Sequence, residues 1–291
     1  MRVTDKVVYR QSIYDVSKIR SDLFTLQRQG ATGKKFHSIE EDPTSAERLR
    51  MLQEAKQATL HYGDNITRSK TQLSAADSAL DEASNIIVRA KELAVAAASE
   101  TVSAEQRTII AQEIQSLHES MVVAANTKAA GEFIFGGFLT DTAPFLTDGT
   151  FVGDTGSKEV DVGPSSRLEV NVSGADAFTA AGGIDIFAEL ENLRVALETN
   201  NVAGIRTGID AMDQGLTQIS AARTDTGLKL NRLDVAGSVR DRLEDSITYE
   251  ASQYIDIDSV EVFLEMNATT SALQSAISVS QKVSNTSILG M

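Results

Sequence analysis

The chain has 291 residues, 42% hydrophobic and 5% aromatic, with no Trp, 3 Pro and no Cys. That length suits one large domain or two to three small ones, and the lack of Cys excludes disulfides, thiolate nucleophiles and thiolate metal sites. A net charge of −14 argues against nucleic acid as a partner, because phosphate needs clustered Lys and Arg. A core of Ala, Leu, Ile and Val with few rings fits thin helical bundles better than a thick globular core. No stretch approaches the roughly 18 consecutive apolar residues needed to span a bilayer, so no membrane partner is expected. The first ten residues scatter charge and carry no apolar run of the kind a cleaved secretion signal requires. Residues 1 to 35 hold 8 basic and 3 acidic residues, and residues 251 to 291 hold 1 basic and 4 acidic. Such opposite charge favours pairing of the two ends.

The first segment predicts a helix with a narrow seam of Tyr9, Val16, Ile19, Leu23 and Leu26 at heptad spacing, with Ser12 filling one position. Gly30-Ala31-Thr32-Gly33 is expected to stop it. Asp42 then reads as a helix cap and Pro43 as the first helical residue. From Leu52 through Ala55, Thr59, Tyr62, Ile66, Ser69, Leu73, Ala76, Leu80, Ala83, Ile87, Ala90 and Ala94 to Ala97 the spacing alternates between three and four. That register is the mark of coiled-coil packing, and at 1.5 Å per residue it predicts a helix on the order of 80 Å long. Gly63 reads as a weak point within it. Ser103-Ala104-Glu105-Gln106 is a capping box opening a third helix, with a seam of Ile110, Ile114, Leu117, Met121 and Ala124, closed by Gly131.

Residues 131 to 183 turn rich in Gly, Thr and Asp, and residues 131 to 200 carry 12 acidic against 3 basic residues. Val160 and Val162, then Leu168, Val170 and Val172, alternate with polar residues around Gly163-Pro164-Ser165-Ser166, which predicts a β-hairpin. Helical spacing returns with Ile186, Leu190, Leu193 and Leu197, breaks at Asn200-Asn201, and resumes at Ile205, Ile209, Met212, Leu216 and Ile219, leading to Leu230 and Leu233. The register shifts near Gly237 before Leu243 and Ile247. A last helix carries Val262, Met266, Leu273, Ala276 and Val283. The fold expected is mainly α: a long antiparallel coiled-coil rod, its terminal helices paired, with a small inserted β domain. Residues 1–42 and 255–291 form the terminal pair, 43–138 and 184–254 the rod, and 139–183 the β-rich insert.

No catalytic constellation emerges. His37, His61 and His118 lack a second ligand at a telling spacing and read as solvated surface rather than metal ligands. The glycines of the stretch from Gly131 to Phe138 are spaced like a phosphate loop, but the Lys and Ser/Thr that hold phosphate and magnesium are missing. Asp256 and Asp258 with Glu261 and Glu265 have no Gly-containing ligand loop. They read as a solvated face or as a partner for the basic first segment. No cofactor is expected.

Gly33-Lys34-Lys35 with Glu41-Asp42-Pro43, and Asp256-Ile257-Asp258 before the last helix, resemble paired signatures of the flagellin superfamily. Glu41 stands where an Asp is usual. Gly131-Glu132-Phe133-Ile134-Phe135-Gly136-Gly137 with Pro144-Phe145, then Phe151-Val152-Gly153-Asp154, resemble the hook-associated protein 3 family within it. So does the close Lys282-Val283-Ser284-Asn285-Thr286-Ser287-Ile288-Leu289.

The resemblance implies a non-enzymatic, extracellular subunit of the bacterial flagellum, exported through the flagellar type III apparatus without a cleaved signal. It implies contact with hook-associated protein 1 and flagellin, a dedicated export chaperone, and self-association in a ring. The seams from Val16 to Leu26 and from Val262 to Val283 would form the assembly interface, folding as subunits join, and region 139 to 183 would face outward. Filament flagellin shares the terminal signatures and stays open as an alternative, as does a coiled-coil scaffold outside the flagellum.

Overall fold

The computed structural model describes the backbone of residues 2–288 and the side chains of residues 7–282. It contains helices α1 (Arg2–Thr32), α2 (Pro43–Ala97), α3 (Ala104–Ala125), α4 (Gly174–Phe178), α5 (Ile186–Glu198), α6 (Val202–Ile255) and α7 (Ser259–Ile288). Four short strands complete it: β1 (Lys128–Ala129), β2 (Glu132–Phe133), β3 (Glu159–Gly163) and β4 (Ser166–Glu169). The chain divides into two compact units, one of Met1–Gln57 with Glu244–Met291 and one of Ala58–Leu243.

In the larger unit α2 and α6 run antiparallel, as the ion pairs Lys70–Asp234, Arg223 with Asp77 and Asp81, and Lys91–Asp213 record. The expected seam is the real one. Leu73, Ala76, Leu80, Ala83, Ile87, Ala90, Ala94 and Ala97 are all buried to 2% exposure or less, facing Ile205, Met212 and Ile219. Alternating Leu or Ile with Ala lets the backbones approach closely. At Gly204 and Gly208 the approach to α5 is closer still, since an added Cβ would lie 2.9 Å from Ala196 Cβ and 2.8 Å from Leu193 Cδ1. α3 opens on the expected capping box, Ser103 accepting from the Gln106 amide while Gln106 Oε1 accepts from the Ser103 amide.

Arg107, buried on α3, ties three chain segments together. It donates to the carbonyls of Ala97 and Ser99 at the end of α2, both at 2.9 Å, and to Asn200 Oδ1 at the α5–α6 turn. Asn200 holds φ at +56°, a left-handed conformation that Asn tolerates and that breaks the helix where the sequence predicts.

The expected stop at Gly30-Ala31-Thr32-Gly33 falls at its last residue: Gly33 ends α1, with φ of +71° and its amide bonded to the Gln29 carbonyl. Two expectations need correction. Gly131 does not close α3, which ends at Ala125 with Asn126 as its cap. Ala130 and Gly131, with φ of +52° and +89°, instead form the turn of the β1–β2 hairpin. His118 is not solvated. It is buried on α3 with its ring edge-on to Phe187, centroids 5.7 Å apart.

The hairpin β3–β4 forms as expected, pairing Val160 with Leu168 and Asp161 with Arg167. Residues 139 to 183 also hold a helix, α4, where only β structure was expected. This region folds on aromatic rings rather than on a sheet. Phe145 meets Phe151, Phe178 and Phe187 at centroid distances of 5.1, 5.5 and 5.2 Å, and Phe135 meets Phe178 at 5.2 Å. Asn126 grips the Phe145 backbone from both sides, donating to its carbonyl at 2.9 Å and accepting from its amide at 3.0 Å. Gly149, at φ +84°, leaves room for Phe187, since a Cβ there would sit 2.3 Å from the ring. Lys229 of α6 holds the hairpin through Glu169 and the Asn171 carbonyl. Burial works against its charge, but the bonds to Glu169 and Asp225 outweigh it and its pKa is raised.

Replacing Arg107 by Met strands three acceptors at this crossing, and is expected to cost about 2–3 kcal/mol in urea unfolding. Burial lowers the pKa of His118, against the pull of Glu191, Glu119 and Asp148. A histidine kept neutral by folding contributes fully above the unfolded pKa of about 6.5, and its contribution is lost as pH falls through the folded value. Carboxylates held below their ordinary range, such as Asp148 by the Thr150 amide and Glu191 by Arg194, lose theirs only in stronger acid. Thermal melts between pH 7 and 5 should therefore show declining stability in the parent chain and a flatter profile in His118→Gln.

Candidate assembly surface

In the smaller unit α1 and α7 pair antiparallel. Gly30 faces Val262, where an added Cβ would lie 3.9 Å from Cγ1, and Ile13 and Val16 share a groove with Ile277 and Ser280. A strap joins the helices where they begin and end. Lys35 donates its amide to the Ile255 carbonyl at 2.7 Å and its Nζ to the Gln253 carbonyl at 2.9 Å, and Ile257 donates its amide to the Gly33 carbonyl at 3.1 Å. Lys34 and Asp256 form the bridge between them. Asp256 thus meets the basic first segment through the backbone.

Each polar residue of the terminal signatures has a local task. Asp258 caps α7, accepting from the amides of Val260 and Glu261 at 2.9 and 3.3 Å. Asp42 caps α2 by accepting from the Ser45 amide at 3.0 Å, bonding that lowers its pKa, and Pro43 is the first helical residue. Glu41 accepts from the His37 amide and pairs with Arg28 at 2.8 Å, and its pKa falls for those reasons in that order. Arg48 and Glu250 join α2 to α6 at 2.6 Å. These charges are largely exposed, where each pair contributes little.

From Val16 onward the seams lie where the spacing puts them, yet they are thinly covered, and Tyr9 at the start of the α1 seam is exposed. Leu26 and Val262 are buried; Val16, Ile19, Leu23, Met266, Leu273 and Ala276 are half-buried. The Val283 side chain lies outside the described residues. Further apolar side chains stand off the seam. On α1, Ile13 is 49% exposed, Tyr14 65% and Phe24 66%. On α7, Val260, Phe263 and Leu264 are exposed together near its start. Heptad reading misses these residues because it follows one stripe. The signal that finds them is the surplus of large apolar residues at positions a two-helix pair turns outward.

The motif from Gly131 to Phe145 belongs to the larger unit and is core. Phe135, Pro144 and Phe145 are buried. A Cβ on Gly136 would meet the Leu139 carbonyl oxygen at 2.3 Å, and Gly137, at φ +64°, gives Asp154 room to accept from the Phe138 amide at 3.0 Å. Phe133 is half-exposed, with Lys128 Nζ 4.2 Å from its ring centroid. The glycine spacing that mimics a phosphate loop serves this turn. Among the described residues no group of three His, Asp or Glu is placed to share a metal ion.

Asp258→Ala removes the α7 cap and is expected to cost about 1 kcal/mol, seen as faster amide exchange in residues 259–266 with α3 unchanged.

Residues 7–140 match the bacterial flagellin N-terminal helical region. Flagellar hook-associated protein 3 of Escherichia coli K12 is 26% identical, with 97% of this chain and 95% of that protein aligned. A flagellar hook-associated protein structure from Vibrio parahaemolyticus superposes with a TM-score of 0.69 at 22% identity, covering 74% of this chain and all of that one. The flagellar junction protein FlgL of Legionella pneumophila superposes with a TM-score of 0.57 at 15% identity, covering 72% and 99%.

Proposed function

From the premise that the chain is a flagellin-family protein, a structural and extracellular component of the bacterial flagellum with hook-associated protein 3 as its homologue over nearly its full length, we propose that it joins hook to filament by burying the surplus apolar faces of α1 and α7 against neighbouring copies. One observation carries this reading. The α1·α7 pair covers a single stripe on each helix and leaves Ile13, Tyr14, Phe24, Val260, Phe263 and Leu264 in solvent. Head-to-tail contacts of one surface on a different surface generate rings or helices rather than closed dimers, so repeated copies can cover what one pair cannot. The half-buried seam from Val16 to Leu26 with Val262 to Ala276 tightens as neighbours exclude water from it. Folding and assembly are then one process in this unit.

Within this reading, hook-associated protein 1 lies on one side of the ring and flagellin on the other, and an export chaperone shields the same apolar faces before assembly. Residues 1–42 and 255–291 are then the part that polymerises, residues 43–138 and 184–254 the helical rod, and residues 139–183 the β-rich insert.

Deleting the gene should leave hooks without filaments in electron micrographs and flagellin shed into the medium; attached filaments would refute the junction role. The double variant Tyr14→Asp with Phe24→Asp changes exposed residues outside the α1·α7 groove and should leave the monomer soluble, helical and exported. It should fail to restore filaments to the deletion strain, and full restoration would refute the assembly surface.

A further inference from the structure

The α2·α6 pair of the larger unit changes character along its length. Between Leu80 and Ala97 the seam is all Leu, Ile and Ala, with α3 and α5 packed alongside. Between Thr59 and Asp77 the seam reads Thr59, Tyr62, Ile66, Ser69, Leu73 and Ala76, against Thr226, Leu230, Leu233 and Arg240 of α6. Thr59, Ser69 and Thr226 are as buried as the apolar seam residues beyond them, at 1%, 3% and 0% exposure. Ser69 and Thr226 spend their hydroxyls on their own helices, donating to the carbonyls of Asn65 and Ala222 four residues back, and Thr67 does the same to Gly63. Such bonds add nothing across the pair, and they favour bending of the helix that makes them.

The glycines sharpen the contrast. Gly204 and Gly208 in the tightly packed stretch are demanded by contacts under 3 Å. Gly227 would meet nothing within 4 Å if it carried a Cβ, and Gly237 would meet only Lys70 Nζ at 3.8 Å and Ile66 Cγ2 at 4.0 Å. Packing does not ask for glycine at either position. Each still costs its helix about 1 kcal/mol relative to Ala. What such a residue supplies is backbone freedom. Gly63 lies on the other helix opposite Arg240, whose guanidinium a Cβ would approach at 3.4 Å.

We propose that residues 59–77 of α2 and 226–241 of α6 form a compliant stretch of the helix pair, able to bend and open locally while the Leu80–Ala97 stretch stays rigid. Polar, self-bonded seam residues lower the gain from pairing, and helix-interior glycines lower the cost of departing from straight helix. On the junction reading given above, compliance here lets each subunit take its own curvature within one tube.

Hydrogen exchange on the purified full-length chain tests this without reference to assembly, so its outcome is separate from that of the gene deletion. Amides in 59–77 and 226–241 should exchange at least about tenfold faster than those in 80–96 and 205–219. Gly227→Ala with Gly237→Ala should slow the compliant stretch by about tenfold and leave 80–96 unchanged. Equal protection along both stretches in the parent, or alanine variants that exchange like the parent, would overturn the proposal. Circular dichroism of the double variant should show undiminished helix, because alanine fits both positions; a loss of helix would equally overturn it, since it would mean packing required those glycines.

Discussion

A helix packed against one partner can bury one stripe of its surface and no more. Everything in this chain follows from where that limit is met and where it is exceeded. In the larger unit much of the excess is absorbed internally, although Ile109, Val123, Phe138 and Val235 stay exposed. α3 and α5 cover what α2 and α6 cannot cover for each other, and the five-ring cluster around Phe145 seals the irregular region between helices. In the smaller unit α1 and α7 pair with each other, and large apolar side chains remain in solvent. A surface of that kind has no use in a solitary monomer and a direct use in a polymer.

The polar residues divide along the same line. Where helices must cross or end inside the larger unit, single buried groups carry several bonds each. Arg107 links the ends of α2 and α5, and Gln218 of α6 serves the carbonyls of Ala177, Thr179 and Ile184 while accepting from the Ile184 amide. Buried polar atoms left without partners are costly, so such residues fix one arrangement of loops and exclude others. In the smaller unit the polar residues sit on the surface as caps and straps. They set the angle at which α1 and α7 leave their turns and add little to stability. Direction is specified there without a thick core.

The family motif illustrates how a conserved-looking pattern is read physically. Its glycines resemble a phosphate cradle by spacing alone. At Gly136 and Gly137 a neighbouring backbone or side chain occupies the space of a Cβ, and Gly131 supplies the positive φ of a hairpin turn. Phe135 and Phe145 are core, while Phe133 is half-exposed.

The seams of all the long helices, the Asp42 and Ser103 caps, the Asn200 break and the β3–β4 hairpin were legible in the sequence because each depends on residues within a few positions of one another. Heptad spacing, capping geometry and turn chemistry are local. The burial of His118 and the partners of Arg107 were not legible. Each is decided by a residue tens of positions away: Phe187 and Asn200. The same holds for the proposed assembly surface. Sequence periodicity named the stripe that α1 and α7 turn toward each other, but only tertiary structure shows which apolar residues outside that stripe stay in solvent.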